Sequence, residues 1–141
     1  MNKINLFEGT IDDVKLLGDK INQFNAEKLA FIGQLEVEKN YFIKDEDGNM
    51  LGGITGTFYL GECLYICVLF VEESARHRGF GSLLLKKMED EARDMKIKLI
   101  HLDTFGFQAK DFYLKHGYQV FGVLDDCPEG HKRYYMKKKI V

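Results

Sequence analysis

Val71-Glu72-Glu73-Ser74-Ala75-Arg76-His77-Arg78-Gly79-Phe80-Gly81-Ser82 is the most specific stretch of this 141-residue chain. It follows Cys63 to Val71, a nearly continuous apolar run of the kind found in a central strand covered on both faces. It precedes Leu84, Met88, Ala92 and Met95, which repeat at helical spacing. The stretch therefore turns a strand into a helix. Two glycines at the turn allow backbone N–H groups to approach a ligand closely. The helix start adds the positive end of its dipole, so the expected occupant is an anion. Arg76 and Arg78 bring donors that match phosphate oxygens. The plain alternative is a glycine turn with solvated arginines.

Other phosphate loops fit less well. A Walker loop needs Gly-Lys-Ser/Thr, and Gly81 is followed by Ser82-Leu83. A dinucleotide fingerprint needs a third small residue where Leu84 stands.

Working outward, Asn2 to Phe7 alternates like a strand, with Ile4 and Leu6 apolar. Thr10 and Asp13 form a capping box ahead of a helix whose apolar stripe is Val14, Leu17, Ile21 and Phe24. A second short helix is open over Asn25 to Glu36. Tyr41 to Ile43 and Met50 to Tyr59 read as strands around the turn Asp45-Glu46-Asp47-Gly48-Asn49. Gly52, Gly53 and Gly56 mark the second of these as the strand to carry a bulge. Ile97 to Phe105 is a further strand, and Gln108 to His116 a short helix closed by Gly117. Tyr118 to Leu124 and Lys132 to Ile140 complete the chain. The strand-helix-strand crossover from Cys63–Val71 to Ile97–Phe105 demands a parallel pair, with antiparallel hairpins on either side. The expected fold class is α/β (α+β), one domain over residues 1–141, with a mixed sheet of about seven strands and helices on both faces.

Composition bounds the function. Hydrophobic residues make up 45% of the chain, enough for a sizeable core, which excludes disorder. The formal net charge of -2 excludes a dedicated nucleic-acid binder. No apolar run approaches the roughly 18 residues of a membrane span, and the start lacks a signal-peptide core. Three cysteines, Cys63, Cys67 and Cys127, fit a reducing compartment. Cys63 and Cys67 lie about 13 Å apart along one strand, too far for a disulfide, and read as small core hydrophobes. No spacing suggests a metal site. A cytoplasmic protein without a metal, a nucleic-acid partner or a membrane partner is expected; a homodimer is compatible with all of this.

Arg76-His77-Arg78-Gly79-Phe80-Gly81 is an Arg-x-x-Gly-x-Gly pattern and resembles the acyl-CoA pyrophosphate loop of the GCN5-related N-acetyltransferases. Ala109-x-x-Phe112-Tyr113-x-x-x-Gly117-Tyr118 resembles that family's second motif. The specific motifs cover Leu69 to Tyr118, and the element order agrees along the chain. The resemblance implies a splayed parallel pair at the cofactor site. It implies that Leu69, Phe70 and Val71 pair with pantetheine and the acetyl carbonyl. Arg76, His77, Arg78, Gly79, Phe80, Gly81 and Ser82 would hold the pyrophosphate, and Ala109, Phe112 and Tyr113 would flank the thioester. Tyr113 would protonate the departing thiolate, a role suited to a phenol. The family often carries Asn three residues before the motif alanine, where this chain has Gly106; Gln108 is a candidate for that amide contact.

The implied reaction moves the acetyl group of acetyl-CoA to a primary amine by direct attack in a ternary complex, with a small-molecule amine as acceptor. The alternatives are an acyl-CoA-binding module and a protein acetyltransferase acting on a lysine or N-terminus. No carboxylate interrupts Cys63 to Val71, so the general base is open among Tyr59, Tyr65, His131 and water. His131 reads first as an ordinary loop histidine and His101 as a satisfied core or edge residue. The resemblance would put Asp125, Asp126 and Glu129 at the acceptor's entrance, where their charge would draw in an ammonium group; the plain alternative is a solvated acidic turn.

Overall fold

The computed structural model describes residues 3–29 and 36–140. The chain divides into two compact units, Met1–Gly33 and Gln34–Val141.

In the first unit, α1 (Ile11–Lys28) begins at the expected capping box. The Asp13 amide donates to Thr10 Oγ1 at 3.2 Å, and the Thr10 amide donates to Asp13 Oδ2 at 2.8 Å. Two of the helix's orphan N-terminal donors are thereby satisfied. No residue of α1 is buried. The strand expected at Asn2–Phe7 does not form over residues 3–7, which have no regular structure; Asn2 is outside the described residues. Alternation makes a segment able to pair, but a strand exists only where a neighbour takes its backbone groups. The second short helix is not separate at its start, since Asn25–Lys28 belong to α1; residues 30–35 are outside the described range.

The second unit is a six-stranded mixed sheet: β1 (Val37–Lys44), β2 (Met50–Tyr59), β3 (Cys63–Val71), β4 (Leu99–Phe105), β5 (Gln119–Leu124) and β6 (Arg133–Lys139), in spatial order β1-β2-β3-β4-β6-β5. Among the described residues the sheet has six strands, and residues 3–7 add none to it. Between β3 and β4 run a short 3₁₀ turn (Glu73–Ala75) and α2 (Phe80–Asp94); α3 (Lys110–Lys115) links β4 to β5. Ile54 and Phe58 of β2, Leu64 and Ile66 of β3, and Ile100 and Leu102 of β4 face Leu84, Leu85, Met88 and Ala92 of α2 in one buried cluster. The period of two on the strands and of 3.6 on the helix deliver these residues to one interface. Tyr118 closes the cluster with a polar anchor: its hydroxyl donates to buried Glu89 at 2.8 Å, and Lys138 Nζ meets the same carboxylate oxygen at 3.0 Å.

Two features of β3 position the site. Thr55 pairs with Val68 and Gly56 with Ile66, leaving Cys67 as an extra residue. This bulge lies on β3; the glycine-rich strand β2 has one of its own against β1, where Ile43 pairs with Gly52 and Lys44 with Met50, leaving Leu51 as the extra residue. The glycines of β2 permit close packing, while Cys67, the extra residue of this pairing, sits on the neighbour. In addition, the parallel ladder between β3 and β4 stops after three rungs, Cys63/Leu99, Leu64/Ile100 and Tyr65/His101. Beyond Tyr65 the two strands splay apart. β4 continues to pair with β6 along its whole length, so it is β3 that loses a neighbour.

Candidate active site

The splay opens a cleft of about 940 Å³ between β3, the loop into α2, the end of β4 and α3. Its walls include Leu69, Phe70, Val71, Arg76, His77, Gly79, Phe80, Gly81, Ser82, Gln108, Ala109, Phe112 and Tyr113. The structure brings these thirteen sequence-expected residues together. Arg78 is the exception and is not on the cleft wall. Its guanidinium lies 4.6 Å from the centroid of the Phe80 ring, an arrangement that satisfies it by stacking.

The loop is built for close approach by an anion. Gly79 has φ +79°, a left-handed conformation open to glycine, and α2 starts without a side-chain cap. Among the described residues, the amides of residues 77–82 donate to no protein acceptor, and the first intrahelical bond here runs from the Leu83 amide to the Gly79 carbonyl at 3.0 Å. Six successive N–H groups at a helix start form an anion-binding concavity. Arg76 folds back so that its Nε donates to the Val71 carbonyl at 3.1 Å, tying the loop to the strand end. Gly81 is required for a different reason. A Cβ there would meet the Phe112 ring at 3.3 Å, so the glycine lets α2 and α3 approach each other.

Ser82 is held by a residue that the motif reading missed. Its Oγ lies 3.0 Å from His116 Nε2, and His116 Nδ1 lies 2.9 Å from the Phe112 carbonyl. Only the imidazole can donate to that carbonyl, so Nδ1 carries the hydrogen. The available signal was the position of His116, one turn beyond Phe112 on the motif helix.

Tyr113 combines a buried ring with a free hydroxyl. The residue is 5% exposed and packs edge-on against Phe112 and Tyr118. Its hydroxyl makes no hydrogen bond to protein, yet the described residues contain no buried unpaired side-chain oxygen or nitrogen. The hydroxyl therefore opens onto the cleft. Burial, with a further push from the Asp103 charge, raises its pKa to about 12.

Gln108 lines the cleft, but its carbonyl oxygen is committed. Oε1 accepts from the Phe105 amide at 2.8 Å and from Thr104 Oγ1 at 3.3 Å, capping the end of β4. Only the side-chain NH₂ remains for a ligand.

The acidic loop 125–130 departs from expectation. None of Asp125, Asp126 and Glu129 lines the cleft. Asp125 pairs with Lys132 at 3.3 Å, and Asp126 Oδ1 accepts the Gly130 amide at 3.1 Å. Asp125 and Asp126 thus find partners within their own loop. His131 touches the cleft only through Phe107, edge to face at 5.1 Å. Cys67 is also reassigned: the bulge exposes it on the cleft wall, whereas Cys63 is half-buried.

One carboxylate on the cleft wall is Asp103, on β4. It accepts from Tyr65 Oη at 2.7 Å and from Arg133 at 3.0 and 2.6 Å. Tyr65 is pushed up to about 12, first by donating to this carboxylate. His101, two residues earlier on the same strand face, is satisfied by the Tyr59 hydroxyl, and burial lowers its pKa. Asp103 escaped the sequence reading because carboxylates were sought on the strand before the loop, not on its parallel neighbour. Among the described residues no cluster of three or more His, Cys, Asp or Glu is placed to hold a metal ion, and no helix is long and apolar enough to cross a membrane.

Comparison with known proteins agrees with this geometry. The family model "Acetyltransferase (GNAT) family" matches residues 16–118. Blasticidin-S acetyltransferase from Streptomyces morookaense is 32% identical over 108 residues, covering 75% of this chain and 77% of that protein. The crystal structure of an acetyltransferase from Bacillus cereus ATCC 14579 superposes with a TM-score of 0.89 at 38% identity, covering 97% of this chain and 98% of that one. An aminoglycoside 6′-N-acetyltransferase complexed with coenzyme A shares the fold, with a TM-score of 0.65 at 20% identity over 83% of this chain and 78% of that one. A splayed parallel pair, an uncapped Arg-x-x-Gly-x-Gly helix start and a family match spanning both place this chain in the GNAT family, as an acyl-CoA-dependent N-acetyltransferase.

Proposed function

We propose that the chain transfers the acetyl group of acetyl-CoA to the primary amine of a small molecule by direct attack in a ternary complex. The observation that carries this reading is one continuous cleft. It joins the free amides of His77 and of Gly79 to Ser82, the unpaired edge of β3 and the free hydroxyl of Tyr113. The amides and Arg76 meet the pyrophosphate. The β3 edge from Ile66 to Val71 supplies backbone partners for the pantetheine arm, as an added strand would use them. At the Cys67 bulge a backbone N–H outside the β4 ladder is placed to stabilise the oxyanion that forms when the amine attacks the thioester carbon. As the carbon–sulfur bond breaks, Tyr113 gives its proton to the departing thiolate.

The small-molecule acceptor is supported by a relative whose name specifies such a substrate, blasticidin S. The test is calorimetric titration of the protein with acetyl-CoA, followed by assay of free thiol release with a panel of small amines and lysine-containing peptides. Binding with amine-dependent thiol release supports the reading. Binding without turnover on any small amine, but with turnover on peptides, would replace the acceptor class.

A further inference from the structure

We propose that Asp103 is the acceptor-recognition residue of this cleft, taking the ammonium group of the incoming amine in a charge-assisted hydrogen bond; this deepens, and rests on, the acetyl-transfer reading. Counting two residues past the last parallel rung, Tyr65/His101, brings Cys67 on β3 and Asp103 on β4 to the same level. The bulge and the carboxylate thus stand at one level on the two sides of the splay and line the same cleft as Tyr113.

The side chain of Asp103 is 15% exposed, and the exposure it keeps is onto the cleft. Its orientation is set from behind. Both Arg133 nitrogens converge on Oδ1, and Tyr65 donates to Oδ2. Each carboxylate oxygen has about two acceptor sites, so Oδ1 is filled and Oδ2 retains one. Arg133 is not on the cleft wall; it lies between the Phe105 and Tyr135 rings, at 5.4 and 5.5 Å from their centroids. A ligand in the cleft therefore meets the carboxylate and not the guanidinium. The other carboxylate on the wall, Asp111, lies in the first turn of α3. Phe107 and Tyr134 also line this cleft and give the carbon body of an amine apolar surface to rest on. The chemistry that fits is a protonated primary amine on a small apolar or aromatic body. Asp103 concentrates and orients it; the ammonium then gives one proton to solvent so that the neutral nitrogen can attack, and its second proton leaves from the tetrahedral intermediate, replacing the one Tyr113 gives to the thiolate.

An isosteric pair of probes tests this: 2-phenylethylamine, cationic at neutral pH, and 2-phenylethanol, neutral and of the same shape. Both are titrated into the protein loaded with coenzyme A, with binding followed by NMR at the Asp103 carboxyl and the Tyr65 ring. The amine is expected to shift both signals and to bind about tenfold or more tightly than the alcohol, the effect of one charged hydrogen bond. Asp103→Asn should abolish that preference while keeping coenzyme A affinity. Arg133→Gln breaks the same ion pair but leaves the carboxylate, so the preference should persist. An undiminished preference in Asp103→Asn, or no amine-induced shift at Asp103, would overturn the assignment. Equal loss in both variants would show the ion pair to be a strut of the sheet and would also overturn it. Failure of coenzyme A to bind at the loading step would instead strike the acetyl-transfer reading.

Discussion

His116 Nε2 stands 3.0 Å from Ser82 Oγ and joins the end of α3 to the first turn of α2. With Nδ1–H donated to the Phe112 carbonyl, a neutral His116 accepts the Ser82 hydroxyl hydrogen. The serine oxygen is thereby fixed at the rim of the amide cradle. Removing the imidazole frees that hydroxyl and loosens the approach of the two helices. His116→Ala should weaken coenzyme A binding by about fivefold, the worth of one hydrogen bond of roughly 1 kcal/mol. Turnover at saturating cofactor should change little. Calorimetry and steady-state kinetics read the two effects separately; unchanged affinity would mean that Ser82 needs no such support.

Tyr113→Phe keeps the packed ring and removes only the proton. Turnover should fall by about 10²–10⁴-fold, with the thermal midpoint nearly unchanged. The pH dependence follows from the raised pKa. A group that titrates at about 12 stays protonated throughout the ordinary range, so the donor is present at every working pH. The wild-type rate should show no descending alkaline limb between pH 7 and about 10, where an unperturbed phenol would begin to ionise. A descending limb in that range that disappears in Tyr113→Phe would contradict the assigned environment.

Gly79 and Gly81 should respond differently to alanine. At Gly79 there is open space for a Cβ but φ is +79°, so Gly79→Ala costs roughly 1–2 kcal/mol in strain. At Gly81 the φ is ordinary but the Cβ would press on Phe112 at 3.3 Å. Gly81→Ala should therefore displace the Phe112 ring and reduce cofactor affinity more than it reduces stability. Denaturant unfolding and calorimetry on the two variants test the contrast; identical profiles would refute it.

Tyr118→Phe probes the buried anchor of the sheet. Glu89, 6% exposed, loses its hydroxyl donor and keeps Lys138. Destabilisation of about 1–3 kcal/mol is expected. The pH sign is definite. Burial first, then Glu89, raises the Tyr118 pKa above the ordinary value of a phenol. A raised folded-state pKa gives stability that is present in full below the unfolded value and is lost as pH climbs beyond it. Wild-type stability should accordingly decline above about pH 10, and the decline should be shallower in Tyr118→Phe. Thermal melts across that range would show it; parallel curves would disprove it.

What the sequence by itself determined was local. The capping box at Thr10, the turn at Asp45–Asn49, the helix opened by Gly79-Phe80-Gly81 and the strand runs of the second unit were all readable. Each depends on side-chain period or on a residue's own backbone preference. The phosphate loop was readable for the same reason: its donors are backbone amides carried by one contiguous segment. The tertiary structure decided whatever required two distant segments to meet. The glycine-rich β2 carries its bulge at Leu51, but the bulge that shapes the cleft, at Cys67, depended on how β2 and β3 register, which glycine content alone does not set. Asp103 became a carboxylate of the cleft wall because β3 and β4 part company after Tyr65/His101, and because Tyr65 and Arg133 turn its side chain. The acids of loop 125–130 could be a steering surface or a solvated turn in one dimension; in the fold none of them lines the cleft, and Asp125 and Asp126 have partners within their own loop. A charge in a sequence has a sign but no partner; its partner, and so its role, is assigned only when the chain folds.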